Sequence, residues 1–248
     1  MNGNWILVRN WGLGFLGTAI AVTVSYLWLD RPIARLAHAA LQQFHLFNNL
    51  SLIPDGLLPL AVVAFLVLGL RGLTGATLSR FQTVLLVSGI SLAVAVVIKD
   101  QLKYAFGRTW PETWLRNNPS FIRDNVFGFF PFNGGSAYSS FPSGHATAIC
   151  TVMTVFWLCY PKFRPVYALC ITATAVGLVG ANFHFLSDVI AGGFLGTFVG
   201  WLVVGMWEIG ARKVRPIDEV SEKTESPLPP KTCEQAPVLT AGPQRRRA

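Results

Sequence analysis

The chain has 248 residues, of which 52% are hydrophobic and only 13% charged, with a formal net charge of +8. Soluble domains carry about a quarter charged residues, so this composition excludes an ordinary soluble protein and points to one embedded in a membrane. The basic residues sit in short loops and a tail, not in a patch interleaved with aromatics, which excludes a nucleic-acid surface and fits topology signals, anionic headgroups and a phosphate site.

Trp11 to Leu29 is uncharged and long enough to cross a bilayer, with Arg9 before it and Asp30-Arg31-Pro32 closing it. Its apolar run exceeds the core of a signal peptide, so we expect an uncleaved first span. From Ile33 to Leu50 the apolar residues Ile33, Leu36, Leu41, Phe44 and Leu46 alternate with Arg35, His38, Gln42, Gln43 and His45. That pattern predicts a helix lying in the interface. Gly56 to Leu70 is a second apolar run, extensible over Gly72 to Leu78 if Arg71 snorkels. Phe81 to Ile98 is the third, and Lys99-Asp100-Gln101-Leu102-Lys103 carries it on.

Trp110 to Ser140 is the longest polar connection, rich in Trp and Phe and holding Arg116 and Arg123. Such a mixture suits the headgroup level, and loops of this length are usually functional or disordered. Ser139 to His145 then reads as a helix start: Ser139 or Ser140 as cap, Pro142 in the first turn, an apolar helix from Ala146. Ala146 to Tyr160, Val166 to Phe183 and Val189 to Trp207 are the fourth, fifth and sixth runs. Gly192, Gly193, Gly196 and Gly200 in the last of them permit close helix packing. Cys150, Cys159 and Cys170 fall in apolar runs and Cys233 in the tail, without metal or disulfide spacing. The expected fold is therefore all-α, a polytopic membrane bundle of six transmembrane helices over residues 1–210. Residues 211–248, dominated by Lys, Arg, Glu, Ser and Pro, are expected to be a disordered tail.

Six spans fix the sides. Arg9, the loops at Arg71 to Arg80 and Lys162 to Arg164, and the tail share one face. It is basic and therefore expected to be cytoplasmic. The opposite face holds the long loop, the helix start at His145, and His184. The chemistry converges there. His184 and Asp188 are four apart, so on a helix they share a face, and a carboxylate on one imidazole nitrogen raises the basicity of the other. His184 is thus a candidate nucleophile or base. Lys103 and Arg108 are candidate cations for a phosphoryl group. Ser143, with the N–H groups of Gly144 and His145, is a candidate donor set, and His145 a candidate acid for the leaving oxygen. Lys99 reads as a snorkelling interface lysine.

Three segments carry a resemblance: Lys103 to Pro111, Phe141-Pro-Ser-Gly-His145, and His184-Phe-Leu-Ser-Asp188. They resemble the three signatures of the type-2 phosphatidic acid phosphatase superfamily, which also includes the vanadium haloperoxidases. The match runs from the third span to the sixth, and the six-span layout is similar to the family's membrane-bound bacterial members. The resemblance implies a metal-independent mechanism without cofactor. The histidine matching His184 attacks phosphorus, aided by the residue matching Asp188, and the histidine matching His145 protonates the leaving group. Two departures stand out. The first signature has arginine where this chain has Trp110, and the third has arginine where it has Leu178. Arg108, Arg116, Arg123 and Asn182 are the residues available to compensate.

The expected function is hydrolysis of a lipid or isoprenoid phosphomonoester or diphosphate at the outer face of a membrane, the bacterial inner membrane, with the tail in the cytoplasm. The expected partners are a lipid phosphate substrate and membrane lipids. Two alternatives stay open: phosphate transfer to a second lipid, and a non-catalytic lipid-binding or lipid-moving protein that keeps the fold.

Overall fold

The computed structural model describes residues 2–114 and 117–213. The expected tail beyond them, with Cys233, and Arg116 lie outside the described residues.

The first span is longer than the sequence indicates. Helices α1 (Asn2–Val24) and α2 (Asp30–Leu36) form one rod, joined by a π-helical turn at Ser25–Leu29 and prolonged by another at Ala37–Leu41. Pro32 has no N–H, and its ring crowds the carbonyl four residues earlier. A widened turn just before it removes that conflict without ending the helix. The segment expected in the interface therefore divides. Residues 33–41 continue the first rod, and only the short α3 (His45–Ser51) stands apart. It packs on α8 (Arg164–Gly180), where a Cβ at Gly177 would lie 2.5 Å from the Ser51 nitrogen and one at Gly180 would run into the Phe47 ring.

Helix α4 (Ile53–Leu73) stops short of the expected Leu78, because Gly75 turns the chain with φ +78°. Helix α5 (Arg80–Phe106) opens with a capping box between Ser79 and Gln82 and closes on the left-handed Gly107. Lys99 and Lys103 thus ride on its last turns. After the one-turn α6 (Phe121–Asp124) come α7 (Gly144–Cys159), α8 and α9 (Leu186–Lys213). Among the described residues, five helical stretches are long and apolar enough to cross a membrane, and α7 is a shorter apolar helix. Together they form a six-helix membrane bundle. No strand occurs among the described residues, only isolated bridges such as Arg108 to Phe129 in the long loop.

Helix α7 is the centre, packed by α4, α5, α8 and α9. Large apolar side chains such as Phe15, Leu66 and Leu169 face outward, where lipid replaces water as the solvent. Its contact with α9 depends on glycines at every fourth position. A Cβ on Gly192 would lie 2.5 Å from the Ser143 carbonyl and one on Gly200 2.8 Å from that of Thr151, while one on Gly196 would collide with that of Thr147. The two backbones therefore touch, as small-residue stripes in membranes allow. One consequence is the bond from the Ser143 N–H to the Asp188 carbonyl at 3.0 Å. It locks the start of α7 to the first turn of α9, which fixes the register of the histidines.

Candidate active site

The start of α7 is capped by Ser143, not by the expected Ser139 or Ser140. The Ser143 hydroxyl accepts from the Ala146 N–H at 3.4 Å, and Pro142 lies before the helix. A cap at Ser143 places the N–H groups of Gly144 and His145 in the first turn, where a helix has no acceptors for them. Ser143 itself has no exposed surface, so its hydroxyl serves the cap, whereas Gly144 and His145 are half-buried.

Ser140 has a different task. His184 Nδ1 lies 3.6 Å from Asp188 Oδ2, long for a hydrogen bond. The Ser140 hydroxyl bridges the gap, donating to Asp188 Oδ2 at 2.6 Å and lying 3.4 Å from His184 Nδ1. Asp188 Oδ2 also accepts the Phe185 N–H at 3.1 Å. The sequence pairing of His184 with Asp188 is therefore present, with a serine between. With Nδ1 on this side, Nε2 is the nitrogen left for chemistry. The Trp110 ring lies beside the imidazole, centroids 5.1 Å apart. Burial pushes the His184 pKa down to about 4, against the opposing pull of the Asp188 carboxylate. The imidazole is thus neutral, as a nucleophile must be.

His145 stands opposite His184, ring centroids 6.5 Å apart. Its Nε2 lies 2.9 Å from Asp55 Oδ1, on the first turn of α4. Sequence reasoning missed Asp55, because a lone aspartate 90 residues away carries no spacing signal.

The cations are rearranged. Arg108 has no exposed surface and does not reach toward a substrate. Its guanidinium donates to Asp188 Oδ1 at 2.5 Å, to the Ser187 hydroxyl at 2.5 Å and to Asp30 Oδ2 at 2.7 Å. Four rings surround it, Phe185 nearest at 4.4 Å, then Phe129, Tyr26 and Phe127. A cation committed to two buried carboxylates is not available to a phosphate, so the expectation for Arg108 is corrected to a positioning role. Arg123 is likewise engaged with Asp124 and Asn117, and the Asn182 amide with the Ala34 carbonyl at 3.2 Å. Leu178 is fully buried among Ala146 and Val189, its carbonyl accepting the His184 N–H at 3.2 Å.

The two lysines of α5 hold the cationic side instead. A Cβ on Gly144 would lie 3.8 Å from Lys99 Nζ and 3.9 Å from Lys103 Nζ. Both amines therefore flank the start of α7, and Lys103 Nζ also sits 5.8 Å from the Trp110 ring centre. Lys99, read from sequence as a snorkelling residue, belongs to the site and pairs at 2.7 Å with the more exposed Asp100. Two ammonium groups, the N–H groups of a helix start, a neutral histidine and a second histidine thus converge at one place. Among the described residues, no group of three His, Cys, Asp or Glu converges as metal ligands.

Comparison with known proteins places the chain in a family. The family model of the PAP2 superfamily matches residues 84–209, just over half of the chain. A lipid A 1-phosphatase of Rhizobium johnstonii is 35% identical over 96 residues, 39% of this chain and 36% of that protein. One of Rhizobium etli is 34% identical over 105 residues, 42% of this chain and 41% of that protein. The chain thus matches about two fifths of these relatives' length. The fold is similar to that of a solved membrane PAP2 type phosphatidylglycerolphosphate phosphatase from Bacillus subtilis. The TM-score is 0.50 at 22% identity, over 84% of this chain and 98% of that one.

Proposed function

Because this chain belongs to the PAP2 superfamily, we propose that it is a membrane phosphatase that removes phosphate from a lipid or isoprenoid phosphomonoester or diphosphate. Its active site opens on the outer face of the membrane, in a bacterium the periplasmic side of the inner membrane. The basic loops at Arg71 to Arg80 and Lys162 to Arg164 support that orientation, since they lie at the opposite ends of the spans. The name shared by the two Rhizobium relatives makes the phosphate of a glycolipid such as lipid A a leading substrate.

The single observation that carries the reading is the placement of His184 across from His145, backed by Ser140 and Asp188 and flanked by Lys99 and Lys103. The phosphate group binds at the start of α7, its charge met by the two amines and the N–H groups of Gly144 and His145. His184 Nε2 attacks phosphorus, and the bond to the lipid oxygen breaks as His145 gives that oxygen a proton. Asp188 and Ser140 steady the charge that develops on the His184 ring. Water then attacks the phosphohistidine, His145 takes its proton, and inorganic phosphate leaves with His184 restored. No step calls for a metal ion.

The test is phosphate release in detergent from phosphatidic acid, phosphatidylglycerol phosphate, undecaprenyl diphosphate and lipid A, each with and without EDTA. His184→Ala and His145→Ala are expected to abolish release, and EDTA to leave it intact. Release that survives either alanine substitution overturns the mechanism. Absence of release from every lipid by the wild type favours the second reading, a non-catalytic lipid binder, for which Trp110 and Leu178 in place of arginines are the motive.

A further inference from the structure

From the contact between Asp55 and His145 we infer that Asp55 is the positioning residue that orients the proposed general acid, so that the site works with two histidine–carboxylate pairs. The inference rests on the phosphatase reading above and adds a residue from a part of the chain that the family model, starting at residue 84, does not cover.

An acid that protonates a leaving oxygen must present its proton at that oxygen when the substrate arrives. Around His145, Lys99 and Lys103 of α5 place both amines beside the neighbouring Gly144, and His184 stands in front of the ring. Asp188, on α9, is paired with Arg108 at 2.5 Å, and Asp100 with Lys99 at 2.7 Å. Asp55, on α4, is the carboxylate that touches the ring, with Oδ1 2.9 Å from Nε2. A carboxylate on one imidazole nitrogen fixes the tautomer and the orientation of the ring.

The contact also orients. With Nε2–H donated to Asp55, Nδ1 is the nitrogen that delivers the proton to the leaving oxygen. When His184 bonds to phosphorus and the phosphorus–oxygen bond breaks, the His145 proton moves to the departing alkoxide and leaves a neutral ring, still held by Asp55. That ring is the base that accepts a proton from water in the second step. Asp55 reaches the site from the first turn of α4, where Ile53 and Pro54 pack inward and the Asp55 side chain stays exposed. Asp55 never touches phosphorus and acts only through His145.

The experiment compares wild type with Asp55→Asn, Asp55→Ala and Asp55→Glu in detergent, following kcat/KM against pH for decyl phosphate and for p-nitrophenyl phosphate. The first has an alkoxide leaving group that needs a proton, and the second a stable phenolate that does not. Asp55→Asn is expected to lower kcat/KM for decyl phosphate by about tenfold, the low end of what general acid catalysis supplies. The p-nitrophenyl phosphate rate should stay near wild type, and Asp55→Glu should recover part of the decyl phosphate rate. An unchanged decyl phosphate rate in Asp55→Asn, or equal loss on both substrates with no recovery by Glu, overturns the role of Asp55 while leaving the phosphatase reading intact. A wild type that hydrolyses neither compound nor any lipid overturns both.

Discussion

Arg108 donates to Asp188 through Nη1 at 2.5 Å, and neither side chain has exposed surface. The other arm of the guanidinium holds Asp30 at 2.7 Å, and Asp30 in turn accepts from the backbone and hydroxyl of Ser187. A buried cation between two carboxylates ties the first rod, the long loop and α9 into one unit. It also fixes the carboxylate that backs His184. Asp30 looked from sequence like the end of the first span, and here it is a cornerstone of the site.

Removing one member of a buried ionic cluster leaves its partners charged and unpaired, which costs about 3–5 kcal/mol. Arg108→Ala should therefore lower thermal stability in detergent and abolish phosphate release together. Arg108→Lys should not rescue it, because a single ammonium cannot span two carboxylates as the planar fork does. If Arg108→Ala kept wild-type stability and only raised KM, Arg108 would instead be a substrate cation.

Lys99 and Lys103 carry the opposite expectation. Each amine faces the start of α7 at partial exposure, so neither substitution leaves a deeply buried charge behind. Lys99→Gln and Lys103→Gln should each raise KM for a lipid phosphate at least about tenfold, the worth of one charge-assisted hydrogen bond. Thermal stability should change little. A Lys99→Gln variant with unchanged kinetics would return Lys99 to the snorkelling role its sequence position indicates.

The contrast between Arg108 and Lys99 shows what the sequence could and could not reveal. Length, apolar runs and the two histidine motifs disclose the helical bundle and the pair His184 and Asp188, because these signals are local and periodic. The cationic side is different. Arg108 sits near the lost arginine at Trp110, and proximity in sequence made it the natural substitute. Its actual direction is set by Asp30, 78 residues away, which no spacing rule connects to it. Lys99 was discounted because a lysine at a helix end is usually a snorkelling residue. Only the packing of α5 against the start of α7 turns it inward. The wide turn before Pro32 likewise hid the continuation of the first rod, since proline normally marks an end.

Gly144 and Gly192 separate the pocket from the packing. A Cβ on Gly144 would stand in ordinary contact with Lys99, 3.5 Å from Cδ, so Gly144→Ala should fold normally. It would occupy the space between the amines and the helix start, where the phosphate must approach. Its expected effect is a raised KM at unchanged melting temperature. Gly192→Ala meets the Ser143 carbonyl at 2.5 Å and must push α9 from α7. Overpacking of this kind costs about 1–3 kcal/mol, so the melting temperature should fall. Equal melting temperatures for the two variants would contradict the helix contact described for α7 and α9.

His184 gives a pH dependence whose sign follows from its burial. The folded protein holds its imidazole at a pKa of about 4, whereas a free histidine has 6.5. Above pH 6.5 the ring is neutral in both states and contributes no pH dependence. Between pH 6.5 and 4 the unfolded chain binds the proton and the folded one does not, so stability falls as the pH is lowered. Below about 4 both states are protonated and the loss levels off. The total is about 3 kcal/mol, from the shift at 1.36 kcal/mol per pH unit. His184→Gln removes this dependence while the other titrating groups remain. Thermal unfolding of both proteins from pH 7 to 4 should thus show wild type losing stability faster than the variant. Parallel curves would mean that His184 has the same pKa in the folded and unfolded states, which would contradict the effect of its burial.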